Sequence, residues 1–331
     1  MNPLTVTWAP HMTTTWGWKN FLSWIHSGFD NYLCTPNSRV HQLLTRLAVE
    51  KLFHPFQPFM FGQKYFAPKI AMMHNVKLVF FGENEAEYGN PISDNSGAQR
   101  DWSFFSSTDR DNIYFGGTSI NELFSDYGLT ENELFQYLPC DPQEIEDNGI
   151  QIHYTGYYEK WHPQSNYYFA VENGGFEPCP ERMPGTYSKY CSVDDKMEDF
   201  NYYTTGIKYG LGWSSYVAAH EIRSGDITRE EGVALVKKYD LEFPERFLND
   251  FLDYISIDSK IMPRAAANLE QPVVDRDYFM SLHDKFRSPH LWINRNGKWD
   301  LRHKVWEQSD QDLNLSTQSA KNWEGNKKLN D

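Results

Sequence analysis

One stretch, residues 77–91, constrains the fold more than any other part of the chain. Its apolar run Leu78–Phe81 stops at Gly82. Acidic and amide residues follow: Glu83, Asn84, Glu85 and Glu87. This pattern is typical of a buried parallel strand that ends at the edge of a sheet, where ligands of open α/β sheets bind. Acidic groups there can polarise a substrate or hold a metal-bound nucleotide, although a solvated loop after a core strand has the same pattern.

The residues around this stretch predict alternating strands and helices. Apolar and β-branched runs predict strands at residues 4–9, 31–35, 77–82 and 150–158. Apolar residues at helical spacing predict helices at 13–28, 38–53 and 61–75. In the third of these, Pro68 is compatible only with a helix start or a kink. Strands and helices that alternate in this way predict an α/β fold with a parallel sheet covered by helices.

The second half of the chain is predicted to be mainly helical. A long polar segment, 90–117, is typical of a lid or a binding loop. Further helices are predicted at 119–127, 130–138, 194–211, 215–224, 228–239, 244–255 and 275–286. Capping boxes are predicted at Thr130 and Thr228, and the threonine run 13–15 is predicted to cap the first helix of the chain. Asn296-Gly297 between alternating residues predicts a β-hairpin. We therefore predict an α/β domain at 1–160, a mainly helical region at 161–306 and a disordered polar tail at 307–331.

Charge and composition exclude several classes of protein. The chain has 31 basic and 45 acidic residues among 331, a net charge of −14, which opposes binding to nucleic acid or to anionic lipid. No uncharged run approaches the roughly 20 residues that cross a bilayer, and no basic-then-apolar leader is present. The four cysteines form no CxxC pair and no zinc-ligand spacing with histidine. We therefore expect a cytoplasmic protein with free thiols.

Aromatic and polar residues cluster at 161–168, WHPQSNYY, after the fourth predicted strand. Trp161, His162, Gln164 and Asn166 are residue types that can hydrogen-bond to and stack on a sugar. A histidine–proline corner whose polar groups are satisfied within the protein is the commoner meaning of such a cluster. Both interpretations stay open at this point.

Several short strings, in the same order along the chain, resemble one family. They are LTVTWAPH, TPNSRVHQLLTRLA, PFQPFMFGQKYFAPKIA, FFGENEAEYGNP, YYEKWHPQS, PGTYSKY, VDDKMEDF and EIRSGDITREEGVALVKKYD. From residue 4 to about 290 the chain resembles the N-acetyl sugar amidotransferases of lipopolysaccharide and nonulosonic-acid pathways, within the PP-loop ATP pyrophosphatases. The resemblance implies a Rossmann-like sheet of the HUP type with helices on both faces.

The resemblance also implies a reaction. In these enzymes an amide oxygen is activated with ATP and Mg²⁺, and ammonia then turns an acetamido group of a nucleotide sugar into an acetamidino group. A glutaminase and synthase-like partner pair supplies the ammonia, which is consistent with the lack of a Cys–His glutaminase pattern in this sequence. Activation is needed because an amide oxygen is a poor leaving group, and positioning of the substrates supplies much of the remaining rate.

The resemblance assigns roles to individual residues. It implies ATP contacts at Thr5, Thr7, Trp8, Gln63, Lys64 and Gly82. It implies catalytic roles for Lys69, Glu83, Asn84 and Glu87. It implies sugar contacts at Tyr88, His162, Thr186, Tyr187, Asp194, Asp195 and Lys196, and it assigns no metal ligand. Simpler meanings remain open, since Lys64 and Lys69 fit helix-surface cations, Asp194-Asp195 fits a helix cap, and Tyr187 fits a core ring.

The chain departs from the family in one large feature. The phosphate-cradling loop, serine-glycine-glycine-lysine-aspartate-serine after the first strand, is absent from the 331 residues. We therefore expect the chain to start at the second strand of the fold and to need a separate loop-bearing fragment. Trp213 and Asn201 stand where an arginine and a histidine are expected. A sugar-nucleotide-binding or scaffold subunit is the alternative, and a tRNA-modifying enzyme is disfavoured by the negative charge.

Overall fold

The computed structural model describes residues 3–82 and 97–307. The described strands are β1 (Leu4–Trp8), β2 (Asp30–Cys34), β3 (Leu78–Phe81), β4 (Tyr114–Phe115), β5 (Thr118–Ser119), β6 (Gln151–Tyr154), β7 (Trp292–Arg295) and β8 (Lys298–Leu301). The predicted catalytic and sugar-contact residues Glu83, Asn84, Glu87 and Tyr88 lie outside the described residues, as does the tail beyond residue 307.

The helices follow the strands in the order expected of a mixed α/β protein. They are α1 (Thr15–His26), α2 (Ser38–Leu52), α3 (Gln57–Met73), α4 (Ile120–Ser125), α5 (Glu131–Leu134), α6 (Pro142–Asp147), α7 (Thr155–Tyr158), α8 (Pro163–Gly174), α9 (Glu198–Tyr209), α10 (Trp213–Ser224), α11 (Arg229–Tyr239), α12 (Leu248–Ile255), α13 (Pro263–Ala267) and α14 (Arg276–Phe286).

The parallel strands form two separate pairs instead of the one continuous sheet that we predicted. β1 pairs with β2, and β3 pairs with β6, both in parallel register. In the described part of the chain no strand joins β1 to β3, so the edges of the two pairs are not connected by backbone hydrogen bonds. The mixed α/β class is confirmed, whereas a single Rossmann-like sheet is not what these residues form.

Helix α3 connects the two strand pairs. Its Phe66 and Ile70 pack in one core cluster with Trp8 of β1, and its Ala71 packs in another with Ile152 of β6. Pro68 lies inside this helix, which begins at Gln57, earlier than we predicted. Both strand pairs pack on the same helix, α3. Each pair therefore has a defined position, although no backbone hydrogen bonds connect one pair to the other in the described residues.

Local sequence signals explain most helix ends. The Thr14 side chain caps α1, and reciprocal capping boxes open α5 at Thr130 and α11 at Thr228, as the sequence predicted. The hairpin of β7 and β8 turns at Asn296, also as predicted. A second core cluster combines Val49, Phe53 and Phe56 with apolar residues of α9, α12 and α14.

The fourth predicted strand is shorter than expected, and the region after it is helical. β6 ends at Tyr154, and α7 and α8 follow. The His162 side chain accepts a hydrogen bond from the Ser165 backbone N–H, and Pro163 occupies the first helical position. Proline has no backbone N–H to donate, and its fixed φ suits the first position of a helix. The His-Pro pair that suggested a corner therefore begins a helix.

Gly62 tests the contact between α3 and β1. A Cβ atom at Gly62 would lie 2.3 Å from Cζ2 of the buried Trp8 ring, so the ring must shift if a methyl group is added. We predict that Gly62→Ala lowers the free energy of unfolding by about 1–3 kcal/mol, as overpacking does in other cores. Urea unfolding followed by circular dichroism measures the change.

Gly174 provides the matched control for this substitution. A Cβ atom at this helical glycine would meet no other atom within 4 Å. Gly174→Ala should therefore leave stability unchanged or raise it slightly, because alanine favours helix. Equal stability of the two variants would show that the Trp8 ring moves freely and would contradict the tight packing.

Candidate functional site

The most enclosed candidate site is a cavity of about 360 Å³ between α8, α9 and α10, which we call the aromatic pocket. Its lining residues are Trp161, Pro163, Asn166, Tyr167, Ala170, Phe176, Tyr190, Cys191, Ser192, Tyr202, Trp213, Tyr216, Val217 and His220. None of them is Lys, Arg, Asp or Glu. The volume suits one sugar ring or a similar small group.

Two stacked ring pairs contribute to the wall of the aromatic pocket. The rings of Tyr167 and Tyr190 have centroids 4.4 Å apart and an interplanar angle of 14°. The rings of Tyr202 and Trp213 are 4.2 Å apart at 8°. Stacking of each ring on another holds its orientation, so the pocket offers aromatic faces whose positions are already defined.

The sequence places these rings by helical spacing. Trp213, Val217 and His220 recur every three or four residues along α10 and therefore share one face of the helix. Trp213, which departs from the family pattern, is the first residue of α10 and is buried. The missed signal was this spacing, because we interpreted α10 only as part of a helical bundle.

A buried carboxylate, Glu221, lies directly behind the pocket wall. It is 5% exposed, and its oxygens accept hydrogen bonds from the Tyr187 hydroxyl at 2.6 Å and the Gln164 amide at 3.3 Å. Burial, followed by the hydrogen bond to Glu221, raises the pKa of Tyr187. Tyr187 therefore stays a neutral donor, and its hydroxyl holds Glu221 in place. Sequence reasoning missed Glu221, since its partners come from separate segments of the chain.

His162 lies at the rim of the same pocket, between the lining residues Trp161 and Pro163. Its Nε2 atom is 3.4 Å from the Asp226 carboxylate, while its Nδ1 atom caps α8. Both ring nitrogens thus have partners within the protein. The structure brings two predicted sugar contacts, His162 and Tyr187, close to Glu221. The polar side-chain atoms of both residues already have partners within the protein.

Asp195 connects the loop after β1 to the segment that enters α9. Its carboxylate accepts hydrogen bonds from the backbone N–H groups of His11, Met12 and Met197, and its Oδ2 is 2.8 Å from His11 Nδ1. The Thr14 hydroxyl donates to the Val193 carbonyl next to it. The carboxyl end of β1 is therefore joined to residues 193–197, as expected if the predicted ATP and sugar sides adjoin.

Acidic residues surround this junction. Desolvation, followed by the neighbouring Asp195, raises the pKa of Asp194 to about 6, although the residue as a whole is exposed. Burial, followed by Asp194 and Asp195, raises the pKa of Glu198 well above its usual range. Ser192 lines the aromatic pocket, and one residue separates it from Asp194, so their Cα atoms are at most about 7.6 Å apart. The acidic junction and the pocket are thus neighbours.

Four of the six residues predicted to contact ATP have partners within the described part of the chain. The Thr5 and Thr7 hydroxyls accept hydrogen bonds from the Asn31 amide, and Trp8 is buried against Gly62. Lys64 lies over the Phe104 ring, with its nitrogen 3.4 Å from the centroid. Gln63 is exposed on α3, and Gly82 is the last described residue before the gap.

The remaining predicted residues have structural partners. Lys69 donates to the Phe135 carbonyl at 2.6 Å, and burial lowers its pKa to about 8. Thr186 is fully buried, and its hydroxyl accepts a hydrogen bond from the Ser188 N–H. Lys196 forms an ion pair with Asp250 at 2.9 Å. Lys69 is half-buried, so it is not the helix-surface cation of the simpler meaning, and its catalytic role stays a prediction.

Among the described residues we find neither a metal-binding cluster nor a membrane-spanning helix. Residues 3–82 and 97–307 contain no group of three or more His, Cys, Asp or Glu side chains arranged to hold a metal ion. Among the same residues, no helix has both the length and the apolar character that a bilayer-crossing segment requires.

Comparison with known proteins gives one family. Residues 184–305 match the family described as "LPS biosynthesis protein WbpG-like, C-terminal domain". The search of curated proteins returned no match. The matched residues include α9 and α10, hence Tyr202, Trp213 and Glu221 at the aromatic pocket. This similarity indicates a role in lipopolysaccharide biosynthesis.

The raised pKa of Asp194 predicts a pH-dependent effect on stability. Its pKa is about 6 in the folded protein and about 3.9 in an unfolded chain, so its ionised form destabilises the fold. The neutral form that folding favours is fully present below pH 4 and is lost as the pH rises through 6. We predict that Asp194→Asn raises the thermal midpoint at pH 8 and that this gain disappears at pH 4, measured by differential scanning fluorimetry.

Asp111→Asn is the matched control, because it removes the same carboxylate from an exposed residue in another part of the chain. It should change the midpoint by the same small amount at both pH values. A gain for Asp194→Asn that is equal at pH 4 and pH 8 would contradict the unfavourable ionisation of Asp194.

Proposed function

We propose that this protein acts in the cytoplasm as an amidotransferase of lipopolysaccharide biosynthesis. It converts an acetamido group of a nucleotide sugar into an acetamidino group, with ATP activating the amide oxygen and Mg²⁺ neutralising the phosphates. The aromatic pocket carries the proposal, because eight of its 14 lining residues lie within the family match. The similarity supports the pathway, and the chemistry comes from the resemblance in the sequence.

The sugar end of the substrate is the group that suits the aromatic pocket. Stacked rings such as Tyr202 and Trp213 pack against the apolar faces of a sugar ring, and Asn166 offers an amide for a hydroxyl group. A diphosphate suits it poorly, because the wall contains neither Lys nor Arg. We therefore place the diphosphate and the nucleoside outside the aromatic pocket.

The described residues alone do not form a cradle for ATP phosphates. Thr5 and Thr7 are held by Asn31, and Lys69 is held by a backbone carbonyl. The ATP and Mg²⁺ part of the proposal therefore depends on Glu83, Asn84 and Glu87, outside the described residues, and on a loop supplied by a separate fragment. The glutaminase and synthase-like pair that supplies ammonia is likewise part of the proposal.

The gap between the two strand pairs supports a separate strand-and-loop fragment. β1 and β3 both pack on α3, and in the described residues neither β1 nor β3 has a second strand partner. The exposed Leu78 and Phe80 on β3 leave apolar surface beside this edge. A parallel strand at this place would pair with both edges and would present its following loop at their carboxyl ends.

A second function fits the same observations. A sugar-nucleotide-binding or scaffold subunit would need the aromatic pocket but no phosphate cradle. The hydrogen bonds that Thr5, Thr7 and Lys69 form within the chain favour this function. The two functions differ in ATP dependence. Binding of a nucleotide sugar is common to both, whereas exchange between ATP and pyrophosphate belongs to the amidotransferase alone.

Nucleotide-sugar binding tests the role of the aromatic pocket. We predict that Tyr202→Ala weakens binding of a UDP-linked N-acetyl sugar about tenfold or more, because it removes one face and unstacks Trp213. Tyr168→Ala is the control, since Tyr168 is exposed and does not line the pocket. Isothermal titration calorimetry measures both, and equal loss in the two variants would place the sugar elsewhere.

Complementation tests the enzyme. We predict that a fragment carrying a strand and a serine-glycine-glycine-lysine-aspartate-serine loop restores exchange of pyrophosphate into ATP when a nucleotide sugar is present. Radiolabelled pyrophosphate measures the exchange. Sugar binding without any exchange in the complete assembly, including the ammonia-supplying pair, would overturn the amidotransferase in favour of the binding subunit.

A further inference from the structure

The surroundings of the aromatic pocket are anionic. Glu221 and Asp226 both lie near Tyr190, whose ring lines the pocket. Burial is the largest cause of the raised pKa of Tyr190, and Cys191, Glu221 and Asp226 add to it. Both carboxylates are thus close enough to act on a charge inside the pocket, and the wall offers no Lys or Arg to oppose them.

The buried Glu221 side chain is held in place by two neutral hydrogen-bond donors, the Tyr187 hydroxyl and the Gln164 amide. A buried carboxylate of this kind favours a positive charge nearby, because its field is only weakly screened by water.

The second carboxylate has spare acceptor capacity. Asp226 Oδ1 is 3.4 Å from His162 Nε2, but Asp226 Oδ2 is buried and has no hydrogen-bond partner in the described residues. Unsatisfied buried acceptors are uncommon in native proteins, and a bound water or ion is one explanation for them. A hydrogen-bond donor that approaches beside His162 would satisfy Asp226 Oδ2.

Aromatic faces add a second attraction for positive charge. The negative face of a Tyr or Trp ring attracts a cation, and proteins use boxes of such rings to bind organic cations. The rings of Tyr190, Tyr202, Trp213 and Tyr216 all line this pocket. Rings on the wall and carboxylates behind them favour a flat organic cation over a neutral group of the same shape.

We propose that the aromatic pocket binds an amidinium cation, the charged form of the acetamidino group. The identity of this cation rests on the proposed function, because an acetamido substrate is neutral and only its acetamidino product carries the positive charge. A site complementary to the product charge also stabilises that charge as it develops during the reaction. Glu221 and Asp226 thus become specificity-determining residues of the pocket.

A pair of small probes tests the inference without turnover. Benzamidinium and benzamide have nearly the same shape and differ in charge, so their affinities isolate the electrostatic contribution. We expect benzamidinium to bind about tenfold or more tightly than benzamide by isothermal titration calorimetry. Both titrations are performed in the same buffer at pH 8. Equal affinity of the two probes would overturn the inference.

Charge-removing variants assign the preference to its source. Glu221→Gln keeps the size of the side chain and an acceptor for Tyr187, and it should reduce the ratio of the two affinities towards one. Glu172→Gln is the matched control. Glu172 is an exposed residue of α8, a helix that also supplies part of the pocket wall. The control should retain the full ratio, and a similar loss in both variants would contradict a local effect.

A folding defect in Glu221→Gln would still leave a test. Asp226→Asn changes a residue that is partly exposed, and it should lower the ratio on its own. A ratio that stays unchanged in Asp226→Asn and in every folded Glu221 variant would overturn the inference. The probes need neither ATP nor a nucleotide sugar. If the unmodified protein makes amidinated sugar but shows no preference for benzamidinium, this inference is refuted and the proposed function is not.

Discussion

The Asp195 carboxylate is the interaction on which the rest of the structure depends. It accepts hydrogen bonds from His11 and Met12 after β1 and from Met197 at the entry to α9. Charge-assisted hydrogen bonds to a buried carboxylate are among the stronger ones in proteins, and removal of the carboxylate would leave several donors unsatisfied. Together with the backbone hydrogen bonds from Thr14 to Asp194 and from Lys196 to Met12, this group joins the loop after β1 to the segment that enters α9.

Packing around the junction leaves little room for adjustment. A Cβ atom at Gly17, in the first turn of α1, would lie 2.4 Å from the Cα atom of Asp194. The backbone of α1 therefore contacts the backbone of the acidic segment directly. Since Ser192 of the same segment lines the aromatic pocket, the position of the pocket is set by the strand side of the molecule as well as by its own helices.

Local signals in the sequence predicted local structure well. The caps at Thr14, Thr130 and Thr228 and the turn at Asn296 depend on a few neighbouring residues, and all four are confirmed. α8 was missed, because His162 and Pro163 also fit a corner and the helix has no fully buried face. Pairing of the strands into one sheet was wrong for the described residues, since alternation along a strand does not specify its neighbours.

The candidate site was predictable only in part. His162, Tyr187 and Asp195 came from the resemblance, and the structure places them around the aromatic pocket and its junction with β1. Glu221 could not be found in this way, because its environment is assembled from Gln164, Tyr187 and Tyr190, which are far from it in the chain. A buried carboxylate in a helix has no sequence signal until its partners are known.

The hydrogen bond between His11 and Asp195 spans 184 residues of sequence and has a consequence for synthesis in the cell. A ribosome that adds about 5–20 residues per second needs about 10–40 s to reach the second partner after the first. During that interval β1 can pair with β2, but the loop after β1 has no carboxylate to hold it. The nascent chain therefore exposes the carboxyl end of β1 until Asp195 has been synthesised.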